Sequence, residues 1–390
     1  MTQSRVWRSK LGRAKAVIAG GGIGGLAAAI ALRRAGFEVQ VLERVKELRE
    51  IGAALLLWPN GTNALRALGV EARTLDVRRH SMRSATNRTL LEAPVERLTE
   101  LFGSGMTFVH RADLQAGLLK AFGEDRLRLD SEVTGFINGE DRVAVRLKSG
   151  ETVEGDILVG ADGLRSAVRR QLLADGEPVY LGVTIWRGIV DATGIPIEPG
   201  QGINWVGRGA EFLAFHLADR RVYWAGVTKE PEGGGAGSDG HRGDLAARFG
   251  NWPDPVPALI AATVEEAILR NDMYDRKPAD RWSLGGVTLL GDAAHPMTPN
   301  AGQGACQALE DAVALGECFA RSSDPAVAFR DYERRRLRRA NWVVTMSHRT
   351  SRAVQLENPV LCALRDGATR LLMRPSLQLQ MMRATMLPVR

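Results

Sequence analysis

The period of apolar positions changes several times along this chain, and each change marks an element. An apolar run ending at Ala19 predicts a buried strand, and the Ala/Leu/Ile-rich stretch after the glycines that follow predicts a helix. Glu38–Leu42 repeats the strand pattern. IGAALLLWPNGTNALRALGV reads as a strand or loop running into a helix, and Val109–Phe122 as an amphipathic helix entered from a strand. From Leu127 to Leu158 apolar and polar residues alternate around NGED and KSGET, the period of a β-meander. The meander delivers the chain to a short buried strand, Asp156–Val159.

Between Tyr180 and about Tyr223 the runs turn aromatic (VTIWRGIV, QGINWVG, EFLAFHLAD, RRVYWAGV) and predict a separate antiparallel sheet. A glycine-rich loop (Glu232–Gly243) and helical stretches at Asp244–Phe249 and Pro257–Arg270 follow. Val287–Leu290 predicts another buried strand, with a helix opening at Gly302 and running through Leu315. The segment from Pro325 to Leu387 is mostly helical. Buried strands on both sides of the aromatic insert imply an α/β fold, with a discontinuous first domain and a C-terminal helical region.

Three junctions between these elements carry chemistry. In GGGIGG (Gly20–Gly25, which includes Gly24), Gly20, Gly22 and Gly25 have the G-x-G-x-x-G spacing between a strand and a helix. Gly20 permits the tight turn, Gly22 leaves room for phosphates, and Gly25 lets helix and strand approach. The helix N-terminus then offers free N–H groups to a diphosphate. Glu43, about 20 residues on, suits a ribose hydroxyl. The second junction, VGADGLRSAVR (Val159–Arg169), places Asp162 either to brace the diphosphate turn or to cap a helix, with Arg165 and Arg169 near phosphates. In the third, Asp292 can accept from a ribityl hydroxyl. Pro299 and Gly302-Gln303-Gly304 then open a helix whose N-terminus suits the negative edge of a reduced flavin. Together the three point to FAD.

Composition narrows the class. At 390 residues and net charge +7, with 45% hydrophobic and 25% charged residues, the chain has the make-up of a globular protein with two domains' worth of length. No apolar run reaches the roughly 20 residues of a membrane span. The basic start reads as a flexible leader over residues 1–14. The arginine-rich run Arg330–Trp342 favours a solvated helix face over a nucleic-acid surface. Three cysteines without CxxC spacing imply a reducing, cytoplasmic setting, and the six histidines show no metal-ligand spacing.

With these motifs in place, the sequence resembles the group A flavoprotein aromatic monooxygenases of the para-hydroxybenzoate hydroxylase type, from about Ala16 to Leu315. GGGIGG, GADG and GDAAH…P…GQG match the family's three motifs, and WPNG (Trp58–Gly61) and FGNWPDPVPALIAA (Phe249–Ala262) look most similar to its urate, 3-hydroxybenzoate and salicylate hydroxylase branch. The resemblance implies a Rossmann-like FAD-binding domain in pieces (residues 15–84, 105–179 and 281–324). The substrate domain would be a strand segment at 85–104 plus residues 180–280, with C-terminal helices over 325–390. It implies non-covalent FAD held by Glu43 and Arg44 at the ribose, Arg111 and Gln115 on the flavin side, Val133 at the adenine half and Asp292 at the ribityl chain.

The activity so implied uses NADH or NADPH and O2 to hydroxylate an aromatic or polycyclic small molecule through a flavin C4a-hydroperoxide. Epoxidation of an electron-rich alkene and FAD binding without turnover remain alternatives. His216, with a pKa suited to proton transfer, and Tyr223, where urate enzymes use a tyrosine, are the catalytic candidates. Each could equally serve the sheet. The arginine those enzymes use for urate falls at Glu211, a charge reversal. Arg187 could grip a carboxylate or pair at the surface, and His295 would support the cofactor. Trp186, Trp205, Phe212, Phe215 and Trp224 could line a ring-sized cavity or form the sheet core. A monomer or homodimer is expected.

Overall fold

The computed structural model describes residues 14–48 and 53–386, so the expected leader lies outside the described residues except for Ala14. The central sheet runs in the order Ser283–Leu284, Val287–Leu289, Ile157–Gly160, Lys15–Ala19, Glu38–Leu42, Leu127–Arg128. All its pairings are parallel except the edge hairpin at 283–289. The two central strands carry unbroken apolar runs, Ala16–Ala19 and Ile157–Val159, because both sheet faces are covered there; Ala16, Val17, Ile18 and Ala19 are fully buried. The Ile23–Arg34 helix packs on this sheet, and the Gly304–Arg321 helix packs on it in turn, with Gly316 against Ala31. The meander forms as Val133–Asn138, Val143–Leu147 and Thr152–Gly155.

The aromatic runs form a second sheet of seven strands. Its order is Leu269–Asp275, Val179–Asp191, Arg221–Lys229, Ala210–His216, Gln201–Val206, Arg79–Ser84, Thr89–Glu92. Neighbours are antiparallel except Gln201–Val206 with Arg79–Ser84. Two details depart from the sequence reading. Arg79–Ser84, read as part of the nucleotide domain, pairs here; its polar RHSMRS has little apolar alternation, and the backbone ladder holds it. Leu269–Asp275 is a strand, because the helix expected to reach Arg270 ends after Ala262 at an extended Thr263.

This sheet has two apolar faces. One packs Trp186, Trp205, Phe212 and Trp224 against Leu245 and Phe249 of the Gly240–Phe249 helix and Leu259 and Ile260 of the Val256–Ala262 helix. Each buried aromatic contributes about 4–6 kcal/mol at ~25 cal/mol per Å2. Those four rings are therefore sheet core, and Phe215 alone of the five faces the cleft between the two sheets.

Helices Pro325–Val354, Pro359–Leu372 and Pro375–Met386 close the described chain. The arginine-rich run is only partly a solvated face. Arg336 and Arg339 turn inward, where Arg336 meets Asp311 and Arg339 meets Glu310. Among the described residues no helix is long and apolar enough to cross a membrane.

Candidate active site

The cleft holds two adjoining cavities that share Gly22, Arg111, Ala161 and Gly163 as walls. The larger, about 1230 Å3, lies along the glycine turn and is lined by Gly20, Glu43, Arg44, Gln115, Val133, Asp162 and Arg165. The smaller, about 480 Å3, runs on between the sheets past Gly24, Asp292, Pro299 and Gly302–Gly304 to the wall of the seven-stranded sheet.

The glycine turn is fixed from several sides. Gly20 has φ +102°, and a Cβ there would lie 2.3 Å from the Ala161 carbonyl oxygen. At Gly25 a Cβ would meet the Gly20 carbonyl oxygen at 1.9 Å, so it packs the turn rather than lining a cavity. Gly22 differs: a Cβ there would have no protein atom within 4 Å and would project into the shared opening. Glu43 accepts from the Gly21 N–H at 2.6 Å, while Gln115 Nε2 donates to the Gly21 carbonyl at 3.0 Å. The peptide units on both sides of Gly21 are thus held. The following helix starts without a side-chain cap, leaving its first N–H groups for an anion.

Asp162 braces the second segment by capping. Its carboxylate accepts from the Ser166 hydroxyl at 2.5 Å and the Ala167 N–H at 2.8 Å. Burial raises its carboxyl above the usual range, opposed by these hydrogen bonds. Arg169 does not face phosphates. It is fully buried, bonds Asp175, and donates to the carbonyls of Ala293 and Ala294, tying the second segment to the third. Arg165 does line the larger cavity, its guanidinium 4.6 Å from the Tyr274 ring centroid.

The third segment is held by a buried ionic network. Asp311 accepts from the Gly291 N–H at 3.1 Å, meets His295 Nε2 at 2.5 Å and Arg336 Nε at 2.7 Å. Burial opposes ionisation of Asp311, but His295 and Arg336 win and hold its carboxyl down at about 2. Gln303 bonds Asn60 and Gln307 and starts the Gly304–Arg321 helix, which again has no side-chain cap. Asp292 keeps surface open to the cavity although protein encloses it. That enclosure raises its carboxyl, with His295 and Arg111 pulling it down. Burial and the nearby Arg187 lower Arg111, against the pull of Asp292 and Glu43.

On the sheet wall, strand parity decides which side chains reach the cavity. Glu211, Leu213 and Phe215 face it from one strand, and Tyr223, Ala225 and Val227 from the next. His216 has the opposite parity. It lines neither cavity, and its Nε2 bonds the Ile197 carbonyl at 2.6 Å. Tyr223 pairs with Phe215 and lines the cavity; burial pushes its phenol up to about 12, against Arg187. Arg187 itself hydrogen-bonds Asn271.

Sequence reasoning missed His80 and the pairing of Asn204 and Asn300 with Glu211. His80 lines the cavity from the Arg79–Ser84 strand, and burial lowers its imidazole to about 4, so it is neutral at pH 7. No motif marks it. Recognising RHSMRS as a strand was the one signal that could have found it.

A family model described as FAD binding domain matches residues 13–190 and 262–347. The chain belongs to this family. The aurachin C monooxygenase/isomerase of Stigmatella aurantiaca is 40% identical over 91% of this chain and 94% of its own. An FAD-dependent urate hydroxylase of Klebsiella pneumoniae is 35% identical over 85% of this chain and 88% of its own. A crystal structure of Klebsiella pneumoniae HpxO complexed with FAD and uric acid superposes with a TM-score of 0.88, at 32% identity, covering 96% of each chain. The cofactor of this family is FAD, and the residues fit it. The turn leaves space where a Cβ at Gly22 would intrude, and the groove along the turn adjoins the ring-sized cavity at Gly22 and Arg111.

Proposed function

We propose that this protein is an FAD-dependent monooxygenase that uses NADH or NADPH and O2 to hydroxylate an aromatic or polycyclic small molecule. The observation that carries this reading is the adjacency of the two cavities, one walled by glycine turns and the other by an apolar, ring-sized sheet face. The named relatives, which include a monooxygenase and a urate hydroxylase, support it. Three buried free cysteines suit a cytoplasmic enzyme. The Arg79–Ser84 pairing supports a substrate domain that begins near Arg79 rather than at residue 85.

The chain's own groups divide the work. Gly20, Gly22 and the Ile23–Arg34 N-terminus would bind the diphosphate, with Glu43 and Arg44 at the adenosine side and Asp292 at the ribityl chain. The uncapped Gly304–Arg321 N-terminus, preceded by Gly302 and Gln303, would stabilise negative charge on the flavin edge. FAD, when bound, supplies electron transfer from the nicotinamide and activation of O2. Leu213, Phe215 and Ala225 exclude water from the ring. Tyr223, with its raised pKa, keeps its proton near neutrality and serves as a hydrogen-bond donor that orients the substrate. Neutral His80 is an acceptor on the same wall.

The test is a screen of ring compounds for stimulated NAD(P)H oxidation by the yellow holoprotein, followed by mass spectrometry under 18O2. One labelled oxygen in a product supports the proposal. NAD(P)H oxidation that no ring compound stimulates and that yields only peroxide rejects it.

A further inference from the structure

The smaller cavity ends in a polar cluster centred on Glu211, the position where the resemblance would have placed an arginine. Glu211 is 8% exposed and faces the cavity beside two asparagines from different elements. Asn204 stands diagonal to it on the neighbouring strand, where Val206 pairs with Glu211 and Asn204 with Leu213. Asn300 comes from the turn that leads into the flavin-side helix. Both donate to the Glu211 carboxylate through their amide nitrogens. A carboxylate only accepts, so each amide must turn its nitrogen inward and its oxygen away.

Both amide oxygens, Asn204 Oδ1 and Asn300 Oδ1, are buried and have no hydrogen-bond partner. A buried acceptor without a donor is disfavoured by roughly 1–3 kcal/mol. Both oxygens are closed off from the cavity, so the two asparagines fix the Glu211 carboxylate, and that carboxylate is the acceptor a ligand in the cavity meets.

We propose that Glu211, Asn204 and Asn300 form the recognition end of the substrate cavity, selecting uncharged ring compounds with N–H or O–H donors on one edge and rejecting carboxylates and other anions. This rests on the monooxygenase reading and names its substrate class. Leu213, Phe215 and Tyr223 supply the ring-sized wall beside the cluster. Rejection follows because an anion in the cavity would meet the buried Glu211 carboxylate, like charge against like.

Burial raises the Glu211 carboxyl to about 7, against hydrogen bonds from Asn300 and Asn204 and the charge of Arg365. Arg365 acts through its charge from the Pro359–Leu372 helix, where its guanidinium bonds Asp366 and the Gly207 carbonyl, and His80, Tyr223, Arg111 and Asp292 line the same cavity as Glu211. Glu211 is therefore ionised above pH 7 and neutral below it. Anion rejection is strongest at pH 8 and relaxes towards pH 6.

Binding to the FAD-loaded protein, read from flavin absorbance and by calorimetry without NAD(P)H, separates this proposal from the oxygenation chemistry. The probes are 2-quinolone, a neutral bicyclic lactam with a ring N–H, its N-methyl derivative, and 3-hydroxybenzoate. At pH 8 the lactam binds about tenfold or more tighter than the N-methyl form, and 3-hydroxybenzoate does not bind. Glu211→Arg gains 3-hydroxybenzoate binding. Glu211→Gln keeps the lactam preference and loses the change in anion rejection between pH 6 and 8. Equal affinity for lactam and N-methyl form, binding of neither, or anion rejection unaltered in both variants overturns the assignment. A failed oxygenation assay leaves this binding result standing on its own.

Discussion

The diphosphate end of the cleft and its substrate end are built from different materials. At the diphosphate end the protein offers backbone: the turn at Gly20, the uncapped helix after Gly22 and the peptide of Gly21 held by Glu43 and Gln115. At the substrate end it offers side chains projecting from two strands, with parity deciding which ones arrive. A backbone site requires glycine at fixed places and tolerates little else. A side-chain site keeps its architecture while its chemistry changes, as Glu211 shows.

The sharpest way to separate the two kinds of position lies within the glycine turn itself. Gly20→Val forces a side chain onto φ +102° and into the Ala161 carbonyl. We expect loss of several kcal/mol of stability and a colourless or insoluble product, read by thermal melting and flavin content. Gly22→Val adds its side chain to space open of protein atoms. The apoprotein should melt within a few degrees of wild type while FAD affinity falls by about a hundredfold or more. Equal melting losses in the two variants would show that Gly22 serves packing rather than cofactor access.

Next in size is the network beneath the flavin-side turn. Asp311→Ala strands His295 and Arg336 without their shared carboxylate, and breaking a buried pair in this way costs about 3–5 kcal/mol. The pH dependence has a definite sign. The folded-state carboxyl sits at about 2, below its ordinary value of 3.8. Its stabilisation is therefore complete above pH 4 and lost as pH falls towards 2. Acid titration of wild type followed by circular dichroism should include this loss, and Asp311→Asn should lack it.

Glu43→Ala tests the cradle at lower cost to the fold, because the side chain grips one N–H of the turn and borders the adenosine cavity. Loss of a charge-assisted hydrogen bond corresponds to about 1.5–3 kcal/mol, or roughly 10- to 150-fold weaker FAD binding. Retention of FAD at wild-type affinity after dialysis would argue against its ribose role.

How far the sequence could be read follows the same division. Gly20, Gly22 and Asp162 stand at strand-to-helix junctions and Gly302 in the turn before the Gly304–Arg321 helix, places whose geometry constrains residue type, so their spacing pointed to a nucleotide site. The nucleotide sheet was legible because its two central strands carry unbroken apolar runs. RHSMRS was not, since its polar residues are held by a neighbour's ladder rather than by burial. Arg169 illustrates a subtler limit. Its place after GADG suggested phosphate contact, yet its guanidinium spans buried carbonyls of the third segment, a partnership that exists only in three dimensions.

His216 was a candidate by its chemistry and its place on the aromatic sheet, Tyr223 by the resemblance, and the register between their strands separates them. Tyr223 lies opposite Phe215, so those two share the cavity face, whereas His216 lies opposite Val222 on the other. A shift of one residue would exchange the two sets. His216→Ala should therefore leave FAD content, ring-compound affinity and the ratio of product to NAD(P)H consumed unchanged. It should lower stability by about 1–2 kcal/mol through loss of the bond to Ile197. Tyr223→Phe should do the reverse, holding the melting temperature while weakening substrate affinity or lowering the product ratio. If His216→Ala uncouples oxidation from product and Tyr223→Phe does not, strand parity is not what selects the groups acting on substrate.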